Sequence, residues 1–180
     1  SKIQRNKDFT VLYSGNMGLA QDLETIVKAA KLLNNYNINF KFIGEGVCKS
    51  EIQSLAKNSS KKIVFCGAIN RKELIKEIKY SSVCLVPLKN KKLFNDAIPS
   101  KMFEYMACER PIIVGIRGEA KKIVRNINSG MAIEPEDPFR LSEAILSYYK
   151  DEKKCEVHGK NGMIYVTKNL SKEVLISKVI

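Results

Sequence analysis

The segment Asp96-Ala97-Ile98-Pro99-Ser100-Lys101-Met102-Phe103-Glu104-Tyr105-Met106-Ala107 gathers groups that can bind an anion and a diol. Pro99 fits the first turn of a helix, where its missing N–H does no harm. The amides of Ser100 and Lys101 then face outward from a positive helix end. Lys101 adds a mobile charge there. Glu104 follows Lys101 by three residues and Ser100 by four, which sets all three on one helix face, while Met102, Phe103 and Met106 supply an apolar side for the core. A carboxylate beside a phosphate site is repelled unless it points at hydroxyls, and a ribose diol offers two. A solvated Glu104 paired with Lys101 fits the same spacing.

Other small-residue turns repeat along the chain. Ser14-Gly15-Asn16-Met17-Gly18 follows an apolar run and precedes LAQDLETIVKAAKLL. Two glycines around a small polar residue let a backbone turn tightly and point amides at a phosphate. Gly44-Glu45-Gly46 and Cys66-Gly67-Ala68-Ile69 have the same character. Repetition at successive strand ends suggests a groove floored by backbone, suited to a flat base or a sugar. Steric turn chemistry alone explains each one singly.

The elements that must position these loops follow from periodicity. Short β-branched or apolar runs are expected as strands at Phe9 to Tyr13, Asn39 to Ile43, Ile63 to Cys66, Val83 to Val86, Pro111 to Val114 and Met131 to Ile133. Helical segments lie between and after them, near residues 20 to 34, 48 to 57, 71 to 79, 99 to 108, 118 to 127 and 138 to 149. The alternation predicts an α/β fold, a Rossmann-like doubly wound parallel sheet of about six strands with helices on both faces. Right-handed crossovers place the loops after each strand on one edge, where such sheets bind ligands. Residues 1–150 are thus expected to form a nucleotide-binding domain. Residues 151–180 read as a polar helical tail with Gly159 and Gly162 as interruptions and Ser171 capping a last helix. A tail packed across another domain and a surface helix both fit. Ser1 is not a methionine and SKEVLISKVI stops within an amphipathic pattern, so both ends read as cut.

Composition bounds the partners. With 44% hydrophobic and 28% charged residues in 180, the chain is an ordinary globular domain with one sizeable core. No run approaches the roughly 18 apolar residues of a membrane span, and the N-terminus lacks a signal-peptide core. The five cysteines (Cys48, Cys66, Cys84, Cys108, Cys155) include no CxxC pair, and His158 stands alone in the polar tail, where it reads as a surface residue. Asp22-Leu23-Glu24 is the nearest approach to a metal-binding Asp-x-Asp and reads as a helix surface, so no metal is expected. A formal charge of +12 invites an anionic partner. The lysines come in scattered pairs, not in a stripe interleaved with aromatics, which argues against a nucleic-acid surface and for diffuse attraction to acidic lipids or lipid phosphates.

Taken together, VLYSGNMGLAQDLETIVKAAKLL, FKFIGEG, KIVFCGAINRKEL, VCLVPL, IPSKMFEYMACERPII and GMAIEPEDPFRLSEAI with its KNGMIYV tail resemble the carboxyl-terminal domain of family 4 retaining glycosyltransferases that build bacterial surface polysaccharides and glycolipids. The resemblance covers nearly the whole chain. It implies one half of a GT-B fold, with a second Rossmann-like domain across a cleft and the tail crossing back to it. It implies a nucleotide diphosphate sugar as donor, a UDP-sugar favoured, with no cofactor or metal. It also implies a saccharide or polyprenyl-linked acceptor bound by the other domain, and a cytoplasmic place at the inner face of the plasma membrane. The resemblance further implies that Glu104 is the second glutamate of the family's glutamate-seven-glutamate signature and binds the donor ribose. It likewise implies that Pro99, Ser100 and Lys101 meet the diphosphate, that Gly15, Asn16 and Gly18 border the phosphates, and that Gly67, Ala68 and Ile69 lie by the base.

Two departures stand out. The first signature glutamate, which usually touches the donor sugar, is Asp96, and the arginine and lysine that many members carry after the first strand are Asn16 and Gln21. Phosphate charge then falls on Lys101 and helix amides, with Lys101 and Asp96 the catalytic candidates. Rival readings are a nucleotide-sugar epimerase of similar fold, which needs a spare acid/base carboxylate in the loops, and a non-catalytic module that binds nucleotides or polyanions.

Overall fold

The computed structural model describes residues 8–60 and 62–170. Six strands, β1 (Phe9–Ser14), β2 (Ile38–Ile43), β3 (Ile63–Cys66), β4 (Val83–Pro87), β5 (Ile112–Gly115) and β6 (Gly130–Ile133), form one parallel sheet in the order β3-β2-β1-β4-β5-β6. Successive residues feed opposite faces and both are covered, as a parallel sheet requires: Val11 and Tyr13 of β1 enter one core and Leu12 the other. The doubly wound architecture is thereby confirmed.

Helices α1 (Leu23–Leu32), α2 (Lys49–Lys57) and α6 (Pro138–Lys150) pack on the Val11–Tyr13 face. On the other face lie α3 (Arg71–Tyr80), α4 (Ser100–Ala107) and α5 (Glu119–Asn126). A single 3₁₀ turn, Lys92–Phe94, interrupts the β4–α4 loop. Strand order reverses between β1 and β4, so α1 and α4 diverge to opposite faces there and leave a crevice at the carboxyl edge.

The tail departs from expectation. One helix, α7 (Glu152–Leu170), runs through Gly159 and Gly162 without a break. Cys155 joins the α6-side core, and Val166 packs against the other core, so α7 passes the β6 edge from one face to the other. The glycines serve close approach: a Cβ on Gly159 would lie 2.4 Å from the Glu109 carbonyl oxygen, and one on Gly162 3.0 Å from Met106 Cγ. His158 is not a surface residue either. It is buried, and its Nδ1 lies 2.6 Å from the Tyr148 hydroxyl. The cap expected at Ser171 lies outside the described residues.

Candidate anion site at the sheet switch point

Lys101 starts from α4, on one face of the sheet, and ends beside Tyr13, whose ring belongs to the other. Its side chain crosses the end of β1 in the switch-point crevice. Gly15 makes that path possible: at φ +124° its backbone suits glycine, and a Cβ there would stand 2.8 Å from Lys101 Nζ and 3.3 Å from Cε. The ammonium lies 4.3 Å from the centre of the Tyr13 ring, a cation–π distance. It donates to the Tyr13 hydroxyl at 3.1 Å. Burial pulls its pKa from 10.5 down to about 8, against the charge of Glu104, which favours the ammonium.

The helix carrying Lys101 is pinned where it matters. Tyr105, one turn after Lys101 and on the same side, is fully buried; its hydroxyl accepts from the Ser14 amide at 2.9 Å and lies 2.9 Å from Ser14 Oγ. Four-residue spacing thus brings both side chains to the end of β1. That spacing is visible in the sequence, but it acquires meaning only once β1 and α4 are known to be neighbours. Pro99 precedes the first turn, no side chain caps it, and no acceptor among the described residues takes the Ser100 or Lys101 amide. The positive end of α4 therefore opens onto the crevice holding the ammonium.

The loop after β1 contributes fewer amides than its glycines suggest. Gly15 N–H donates to Ile43 O at 2.9 Å, Met17 N–H to Glu45 O at 2.7 Å and Gly18 N–H to the Gln21 side-chain oxygen at 3.2 Å. Among the four amides from Gly15 to Gly18, that of Asn16 alone has no acceptor among the described residues. The glycines after β2 serve this same backbone pairing. A Cβ on Gly44 would lie 2.1 Å from Gly15 O, and one on Gly46 2.4 Å from Met17 O.

Glu104 is exposed and forms no ion pair with Lys101, so the simple pairing suggested by the spacing is not made. It shares the open side of α4 with Ser100. Asp96 is exposed in the loop before Pro99. The carbonyl of its neighbour Asn95 accepts from Glu119 N–H at 3.1 Å, tying that loop to α5. Gly67 and Ala68 are exposed at the end of β3, two strands from the crevice, and Ile69 is half-buried against the α4-side core. Gly67, Glu45 and Gly15 follow the neighbouring strands β3, β2 and β1, about 4.8 Å apart, so with Lys101 they lie in sequence along the carboxyl edge. Glu45 is neutralised by Lys49 at 2.7 Å.

Asp22 differs from its sequence reading. Helix α1 begins one residue later, and Asp22 is buried at the preceding cap position. It accepts from Glu136 N–H at 3.0 Å and lies 3.5 Å from Lys89 Nζ, which joins the loops after β1, β4 and β6. Among the described residues, no three His, Cys, Asp or Glu side chains cluster as metal ligands. No described helix is long and apolar enough to cross a membrane.

Comparison with known proteins adds the family. Residues 1–164 match the family described as glycosyl transferases group 1. A probable glycosyltransferase, WbjE of Pseudomonas aeruginosa, is 27% identical over 136 residues, which span 74% of this chain and 34% of that protein. The chain therefore spans about a third of that relative's length. Among solved structures, the C-terminal domain of a glycosyl transferase group 1 protein (LpcC) from Francisella tularensis superposes with TM-score 0.77 at 19% identity, covering 91% of this chain and 87% of that one. HepE of Anabaena in complex with UDP-glucose gives TM-score 0.80 at 12% identity, covering 96% and 49%.

Proposed function

The chain belongs to the glycosyl transferases group 1 family, and from that premise we propose that it is the donor-binding half of a GT-B glycosyltransferase. The observation that carries the reading is the Lys101 ammonium lying against Gly15, at the sheet's switch point and beside the uncapped start of α4. A nucleoside diphosphate matches this layout: diphosphate against Lys101 and the amides of Ser100, Lys101 and Asn16, base toward Gly67–Ile69, ribose diol toward Glu104. UDP-glucose in the HepE complex supports the donor class.

The reaction would be transfer of a sugar from a nucleotide diphosphate sugar, a UDP-sugar favoured, with retention of configuration. The bond from the anomeric carbon to the β-phosphate oxygen breaks and its electron pair stays on the phosphate. An acceptor hydroxyl forms the new glycosidic bond and gives up its proton, which the released diphosphate can accept. Charge grows on the departing diphosphate, and fixed donors aimed at it stabilise the transition state. On this reading Lys101 and the α4 amides are those donors, and Asp96, exposed in the loop before Pro99, is the residue assigned to the sugar. The acceptor, a saccharide or a polyprenyl-linked one, would be held by the other half of the cleft. The net charge of +12 supports a site on the cytoplasmic face of an anionic membrane.

Calorimetric titration with UDP, GDP and ADP, with and without attached sugars, tests the reading. Saturable binding of one nucleotide is expected and identifies the base; binding to none, alongside salt-sensitive binding to heparin, would favour the polyanion module. Glu104→Gln should weaken ribonucleotides by about 1 kcal/mol and spare their 2′-deoxy counterparts. Equal losses for both would return Glu104 to a surface charge.

A further inference from the structure

We infer that Tyr13 is the positioning residue of this site, holding both the Lys101 ammonium and the Asn16 peptide in the geometry that receives the donor's diphosphate. The inference rests on the donor-domain reading and concerns a side chain that neither the motifs nor the glycines pointed to.

A phenol has a single proton to give. The Tyr13 hydroxyl donates it to Asn16 O at 2.5 Å, so toward Lys101 the same oxygen presents only a lone pair, which accepts from Nζ at 3.1 Å. The ring beneath adds a cation–π contact at 4.3 Å. Both contacts reach the ammonium from the Tyr13 side, which leaves its remaining N–H groups available to a ligand.

The other end of the hydroxyl's work lies in the loop. The peptide joining Asn16 to Met17 is clamped at both poles: its carbonyl accepts from Tyr13 and its N–H donates to Glu45 O at 2.7 Å. Fixing that peptide fixes the chain leaving the preceding one, whose Asn16 N–H is the loop amide with no acceptor among the described residues. One tyrosine thus orders two donors from separate elements. Tyr13 is itself fully buried and packs on Phe42 at 5.9 Å between ring centres, so its position is set by the core. Burial also pushes its phenol well above the usual range, which keeps the proton in place.

A pH signature follows. With the Lys101 pKa near 8, a diphosphate that requires the ammonium loses affinity as pH rises through that value, about fourfold between pH 7 and 8.5. Glu104 on its own helix and Tyr13 from β1 are the titratable groups facing the ammonium. Removing the phenolic acceptor destabilises the charged form, so the fall should begin at lower pH.

The test is calorimetric titration of the wild-type chain, Y13F, K101A and the double variant with UDP and GDP, and with uridine and guanosine, at pH 7 and 8.5. Expected is a five- to tenfold loss of diphosphate affinity in Y13F with nucleoside affinity kept, an earlier pH fall, and a double variant that loses less than the product of the two singles. Losses of nucleoside and diphosphate in equal proportion, or multiplicative losses in the double variant, would overturn the inference. If K101A binds the diphosphate as well as wild type, the donor reading fails too; if K101A weakens binding and Y13F does not, this inference fails alone.

Discussion

Two buried tyrosines in this domain each hold a basic side chain, and they do opposite things. Tyr13 meets Lys101 at the carboxyl edge of the sheet; Tyr148 meets His158 at 2.6 Å in the seam between α6 and α7. Burial lowers the pKa of both basic groups. The difference lies in what surrounds them. His158 is enclosed, with its partner on α6 and Lys154 above the Tyr148 ring at 5.7 Å. The Lys101 ammonium lies against Gly15 at the switch point, on the helix whose first amides have no acceptor among the described residues. A desolvated cation is therefore a sign of function only where other donors open to the same space.

Substitutions at the two pairs should separate these roles. His158→Ala should cost about 3 kcal/mol of stability by denaturant unfolding, from a cavity and an unsatisfied Tyr148 hydroxyl, and leave nucleotide affinity unchanged. Reduced nucleotide affinity in that variant would collapse the contrast. Because burial lowers the His158 pKa from 6.5, the neutral ring is favoured in the fold. The unfolded chain takes up its proton first, so wild-type stability should drop as pH falls below 6.5 and the alanine variant should lose that component.

Lys101→Ala should show the mirror image, weakening nucleoside diphosphate binding by about 1.5–3 kcal/mol with little change for the free nucleoside. Lys101→Met sharpens the contrast further. The native pKa of about 8 lies below the ordinary 10.5, so the wild-type lysine carries a stability penalty. That penalty is full below pH 8 and gone above 10.5. The methionine variant should be more stable by on the order of 1–2 kcal/mol at pH 7, with the gain vanishing as pH rises across that window. A variant less stable than wild type at pH 7 would mean that Lys101 supports the fold rather than a ligand.

Most of the scaffold was legible in the sequence because parallel strands buried on both faces appear as continuous apolar runs ended by small residues. The predicted Phe9 to Tyr13 became Phe9–Ser14, and Ile63 to Cys66 was unchanged. What escaped depends on neighbours distant in the chain. The amides of Gly15 and Met17 looked available to a ligand, yet their acceptors, Ile43 and Glu45, lie about thirty residues on and become adjacent only when β1 pairs with β2. Tyr13 looked like core and is core; its hydroxyl gains a role from a lysine 88 positions away. Gly159 and Gly162 read as breaks because glycine weakens a helix by about 1 kcal/mol. Close packing outweighs that cost: the Glu109 carbonyl leaves no room for a Cβ at Gly159, and Met106 would have to shift to admit one at Gly162.

Those two glycines also act as an index mark along α7. At 100° per residue, adding or removing one residue between Asp151 and Gly159 would turn a neighbouring side chain toward the Glu109 carbonyl, where a Cβ on Gly159 itself would stand at 2.4 Å. The outward face of the helix can change its residues freely, but the segment cannot change its length, so evolution can repaint this element without re-cutting it.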